Sequence, residues 1–122
     1  MRSRLLLFLI TAGLALSFPA PAAAQAPIKV GEINSYSGIG APFTGPYKAG
    51  VEMAAEEINA KGGVLGRKIE VLFRDDKGQP AEAVKHAQEL VESEKVALIA
   101  GTFLSNVGLA VSDWAKQNKV MF

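Results

Sequence analysis

A single histidine, two adjacent aspartates and a serine between a strand and a helix are the residues of this 122-residue chain best equipped for chemistry. His86 falls on a helix face shared with Glu82 and Glu89, which reads as a solvated surface rather than a proton-transfer centre. Asp75 and Asp76 would form an acid/base couple only if they faced one space. Neighbouring strand residues point to opposite faces, and Asp75-Asp76-Lys77-Gly78 has the composition of a turn. With no cysteine, a zinc site would need carboxylates around one imidazole, and no ligand spacing appears. Ser105 follows a strand and opens a helix, as a hydrolase nucleophile does, but Phe103 and Val107 occupy the places where that elbow needs glycine. Gly38-Ile39-Gly40 begins like a dinucleotide fingerprint, whose third glycine would fall on Phe43. These residues favour recognition over catalysis, with no cofactor and no metal. An exported serine hydrolase acting through Ser105 is the enzymatic alternative.

The elements that must position such a recognition site begin after an export signal. Arg2 and Arg4, an apolar stretch from Leu5 to Phe18, Pro19 and the run Ala20 to Ala24 have the layout of a signal peptide over residues 1–24, cleaved after Ala24. The apolar stretch is shorter than the roughly 20 residues a spanning helix needs. Without Arg2 and Arg4, 11 basic side chains face 12 acidic ones, so the formal net charge of +1 becomes −1. A near-neutral surface has nothing to neutralise phosphates, which sets nucleic-acid binding aside. Without cysteine there is no disulfide framework, and stability rests on burial. Val120-Met121-Phe122 looks like the opening of another strand, so residues 25–122 read as a fragment of a larger unit.

Strand and helix alternate through these residues. Ile28 to Ile33 predicts a strand, followed by a Gly/Ser/Pro-rich loop from Asn34 to Thr44 and a helix from about Gly45 to Ala60. In that helix Val51, Ala54, Ala55 and Ile58 recur at helical spacing, and Lys61-Gly62-Gly63 ends it. A second strand is expected from about Lys68 to Arg74, with Ile69, Val71 and Phe73 on one face. Pro80 suits the first turn of a second helix whose apolar face holds Ala83 or Val84, Ala87, Leu90 and Val91. Val96 to Ala100 reads as a short strand covered on both faces, and Ser105 to Gln117 as a third helix with Val107, Val111, Trp114 and Ala115 inward. Three such units imply an α/β fold with a parallel sheet flanked by helices.

In a sheet of strand order 2-1-3, the loops after strands one and three face each other at the switch point, where open α/β sheets bind ligands. Ser37 would then look toward Thr102 and Ser105, with Tyr36 and Phe43 as an apolar wall. Ser105 beside free N–H groups at a helix start suits a carboxylate. The structural alternative is that Ser105 caps its own helix.

The segments Ile28-Lys29-Val30-Gly31-Glu32-Ile33 through Ser37-Gly38, Ile58-Asn59-Ala60-Lys61-Gly62-Gly63-Val64-Leu65-Gly66-Arg67-Lys68-Ile69, Arg74-Asp75-Asp76, and Ala97-Leu98-Ile99-Ala100-Gly101 leading to Ser105 resemble the branched-chain amino-acid binding proteins of ABC transporters. That resemblance implies the N-terminal part of one Rossmann-like lobe of a type I periplasmic binding protein, strand order beginning 2-1-3. A second lobe would be joined by hinge strands. It also implies a periplasmic, monomeric, non-enzymatic receptor that closes on a branched-chain amino acid or a related small carboxylate or amide and delivers it to an inner-membrane permease. The same fold serves as an extracellular sensor domain, which is the signalling alternative. The switch-point topology and the resemblance together give the ligand-binding set Ser37, Phe43, Thr102, Ser105 and Asn106. Some relatives hold a disulfide where Lys77 or Gly78 and Leu104 stand here.

Overall fold

The computed structural model describes residues 25–122. The expected signal peptide and its cleavage after Ala24 lie outside them. Strand β1 (Ile28–Asn34) leads through a 3-10 turn (Gly38–Gly40) into helix α1 (Ala41–Ala60). Then follow β2 (Ile69–Asp75), α2 (Pro80–Glu92), β3 (Leu98–Gly101) and α3 (Ser105–Asn118). The strands form one sheet in the order β2-β1-β3, both pairings parallel, as the sequence implied.

The register sets Ile28 opposite Ile69 and Val30 opposite Leu98, which aligns the C-terminal ends of all three strands. Alternation along β1 sends Gly31 and Ile33 to one face and Glu32 and Asn34 to the other. The first face carries the core. Ile33 and Ile99 pack with Ala83, Ala87 and Leu90 of α2 and Val107 and Val111 of α3, all buried. Small residues let α2 lie close to the sheet. A Cβ on Gly31 would stand 2.9 Å from Leu90 Cδ1. Trp114, expected inward, is half-buried against this cluster. His86 is half-buried rather than solvated, its Nδ1 3.5 Å from Glu89 Oε2.

Helix α1 covers the second face, and its start differs from the sequence reading. It begins at Ala41 rather than near Gly45, so Phe43 and Thr44 belong to its first turn and not to a loop. Pro42 sits where a missing N–H has no intrahelical partner to lose. Thr44 Oγ1 donates to the carbonyls of Ser35 at 2.8 Å and Gly40 at 3.2 Å, tying the turn to the end of β1. Gly45 and Pro46, expected at the first turn of the helix, lie further along it, and Pro46 stands in its interior at the cost of one backbone hydrogen bond. At its other end Asn59 exchanges two hydrogen bonds with the Ile69 backbone, at 2.8 and 2.7 Å, and Gly62 and Gly63 take positive φ as the helix terminates. Of the four residues at helical spacing, Val51 and Ala55 are half-buried, whereas Ala54 and Ile58 are exposed. Beyond its first turns α1 rests chiefly on β2.

Strand β3 begins two residues later than the apolar run suggested and is buried only at Ile99. Met121 lies alongside it, its carbonyl accepting from Ile99 N at 2.9 Å, so the last apolar residues follow the sheet edge in an irregular conformation.

Candidate functional site

The ends of β1 and β3 enclose a cavity of about 330 Å³ at the switch point of the strand order. Asn34 closes its floor from β1, Phe43, Thr44 and Tyr47 line it from α1, and Gly101, Thr102 and Phe103 line it from the β3–α3 connection. Phe43 and Phe103 stack across it with ring centroids 5.4 Å apart and planes 16° from parallel. Both rings remain open to solvent, at 64% and 40% exposure, an unusual state for a paired aromatic surface without something more to cover it.

The two sides are brought together by close backbone approach. Gly101 has φ of 112°, and a Cβ there would overlap the Ile33 carbonyl and stand 2.8 Å from Glu32 Oε1. Thr102 follows with φ of 86°, a left-handed conformation that a β-branched residue rarely adopts. Its hydroxyl rests over Gly108, whose added Cβ would come within 2.8 Å of Oγ1. Strain of this kind collects at binding sites.

Behind the wall lies a polar network. Glu32 is 1% exposed and accepts from Asn34 Nδ2 at 3.1 Å and from the Tyr36 hydroxyl. Burial pushes its carboxyl above the usual range despite those hydrogen bonds, and raises Tyr36 and Tyr47 as well. The aspartate pair serves the turn. Asp75 Oδ1 accepts from the N–H groups of Tyr36, Ser37 and Lys77, and these bonds, with the Ser37 hydroxyl, outweigh burial and hold its carboxyl below the usual value. Asp76, fully buried, accepts from Ser35 Oγ at 2.6 Å and Gly78 N at 2.7 Å.

Of the residues expected at the site, Phe43 and Thr102 line the cavity. Ser37 lies outside the lining, occupied with Asp75. Ser105 and Asn106 lie outside it as well, both exposed as the first two residues of α3. Ser105 does not cap the helix: Leu104 holds the N-cap and supplies no side-chain hydrogen bond, leaving the first amides of α3 without a side-chain acceptor. Asn34, Thr44, Tyr47, Gly101 and Phe103 were not anticipated. Placing the helix start four residues late hid that Phe43 and Tyr47, four apart, share one helix face. Gly78 and Leu104 do meet, the point of a Gly78 Cβ standing 3.2 Å from Leu104 Cδ1.

Known proteins match this arrangement. A family model described as periplasmic binding protein covers residues 27–122. The Leu/Ile/Val-binding protein homolog 7 of Brucella suis is 42% identical over 104 residues, 85% of this chain and 26% of that protein. The branched-chain amino acid transporter substrate binding protein LivJ of Streptococcus pneumoniae, solved in complex with isoleucine, is 34% identical with a TM-score of 0.72, over 77% of this chain and 27% of its own. A solute-binding protein of an ABC transporter from R. palustris, solved with benzoate, is 30% identical with a TM-score of 0.68, over 77% and 26%. The chain thus spans about a quarter of the length of these relatives. Proteins of this kind bind solutes and do not transform them, which removes the hydrolase reading of Ser105. The likeness to branched-chain amino-acid binding proteins holds over nearly all described residues, and the chain belongs to the periplasmic binding protein family.

Proposed function

We propose that this chain is the N-terminal part of the first lobe of a periplasmic solute receptor serving an ABC importer. The observation that carries the reading is the cavity at the ends of β1 and β3, open beside the uncapped start of α3. The ligand is a branched-chain amino acid or a related small carboxylate or amide. Isoleucine and benzoate, held by two relatives, share a carboxylate and an apolar body. In this chain the carboxylate belongs at the Thr102 end of the cavity, next in sequence to the start of α3, where Ser105 and Asn106 offer a hydroxyl and amides at the positive helix end. Phe43 and Phe103 receive the apolar body.

The remaining contacts come from a second lobe outside residues 25–122. Closure of the two lobes around the ligand stabilises the state that an inner-membrane permease recognises. Residues 1–24 direct the monomeric receptor to the periplasm and are removed after Ala24. The test is a thermal-shift series on the complete mature protein with isoleucine, leucine, valine, benzoate and benzamide. Specific binding raises the melting temperature by mass action. Ser105→Ala then weakens the bound carboxylate by roughly 1.5–3 kcal/mol, the contribution of a hydrogen bond to a charged group. No shift with any compound would reject the receptor reading, and an unchanged affinity in Ser105→Ala would remove that residue from the site.

A further inference from the structure

We infer that Glu32 sets the charge selectivity of the cavity: a ligand carboxylate is accommodated with uptake of one proton by the Glu32 carboxylate behind the wall. The inference rests on the cavity being the ligand site. Two cavity-lining residues stand against Glu32. Asn34 donates to its Oε1 at 3.1 Å, and Oε1 lies 2.8 Å from where a Gly101 Cβ would be. Only the absence of that Cβ separates the carboxylate from the β3–α3 connection.

No cation neutralises it. Among the described residues Glu32 forms no salt bridge. The charged and titratable groups around it come from every packed element. On α1, Lys48 Nζ sits over the rings of Tyr36 and Phe73, 5.7 and 4.9 Å from their centroids, and 3.8 Å from Glu52. Tyr36 donates to the carboxylate, and Tyr47 of α1 is the other tyrosine near it. From the turn after β2, Asp76 adds a second buried negative charge, while Gly101 of β3 brings none. His86 is on α2, which packs on the other face of the sheet.

A second anion brought into the cavity meets an uncompensated one. Like charges brought close together in a partly buried setting repel enough to change affinity by more than about tenfold. Protonation of Glu32 removes that repulsion while keeping the carbonyl oxygen as an acceptor for Asn34 or a tyrosine. Burial already pushes the Glu32 carboxyl above the usual carboxylate range, which lowers the cost of that protonation.

The test is calorimetry on the complete mature protein with isoleucine and benzoate from about pH 5 to about pH 8, in two buffers of different ionisation enthalpy, for wild type and Glu32→Gln. Wild type takes up close to one proton per ligand, and its affinity falls by about tenfold or more as pH rises, since one unit of pKa change is a factor of ten. Glu32→Gln keeps its low-pH affinity throughout and takes up no proton. Equal pH dependence in the two proteins overturns the inference, as does binding by wild type without proton uptake; both leave the receptor reading intact. Failure of wild type to bind either compound overturns the receptor reading and this inference together. If Glu32→Gln does not fold, Tyr36→Phe removes one donor to the carboxylate and moves the wild-type pH profile upward. An unmoved profile overturns the inference.

Discussion

Replacing Gly101 with alanine should destabilise the fold far more than the loss of one hydrogen atom suggests. The residue ends β3 at φ of 112°, where an L side chain is strained by about 1–3 kcal/mol. The new Cβ would also overlap the Ile33 carbonyl, and that oxygen belongs to the adjacent strand. No rotamer change relieves a clash with backbone, so β1 and β3 must separate, loosening the Ile33–Ile99 contact that the core is built on. The total comes to at least about 3 kcal/mol, the range of severe single substitutions. Urea denaturation of the mature chain, followed by circular dichroism, reads the loss as a lower midpoint at unchanged slope. Gly50→Ala is the control, because nothing lies within 4 Å of its Cβ and it sits inside α1. That change should stabilise the chain by about 0.5–1 kcal/mol through helix propensity. A loss below about 1 kcal/mol in Gly101→Ala would refute the close approach of β3 to β1, and with it the reasoning that builds the cavity wall.

Three further outcomes follow from the packing and the polar network. Leu90→Ala opens a hole between α2 and Gly31 and should cost about 2–5 kcal/mol in the same denaturation experiment. Ser35→Ala removes the 2.6 Å hydrogen bond to fully buried Asp76, whose Oδ2 is already unpartnered, and should cost about 1–3 kcal/mol at neutral pH, while a loss within error would mean that water reaches Asp76. Asp75, held below its ordinary value of 3.8, lends stability that is fully present above that value and is lost as pH falls through the lower folded one. Asp75→Asn should therefore flatten stability against pH below about 4, measured by urea midpoints across the acid range.

The parallel 2-1-3 sheet was legible because each helix carries its apolar residues at a helical period and each strand its own alternation, as Ala83, Ala87 and Leu90 on α2 illustrate. The start of α1 was not. Gly45 and Pro46 are local breakers, and what overrides them is tertiary: Thr44 bonded to Ser35, a contact between loop and helix that no local pattern encodes. The site was legible to the same degree. Phe43 and Thr102 could be placed from the topology, but Tyr47 came within reach only once the helix register was known. Glu32 carried a signal that went unused, a charge in the middle of an apolar strand. Such a residue in a buried strand needs partners, and here they are Asn34 and Tyr36.

The central claim, that the space between α1 and the β3–α3 connection is one half of a ligand site, is tested most directly by a crystal structure of the complete mature protein grown with isoleucine or benzoate. The account predicts ligand density against Phe43 and Phe103, with the carboxylate turned toward Thr102 and the first amides of α3. Density bound elsewhere, with the Phe43–Phe103 pair still stacked and uncovered, would contradict it.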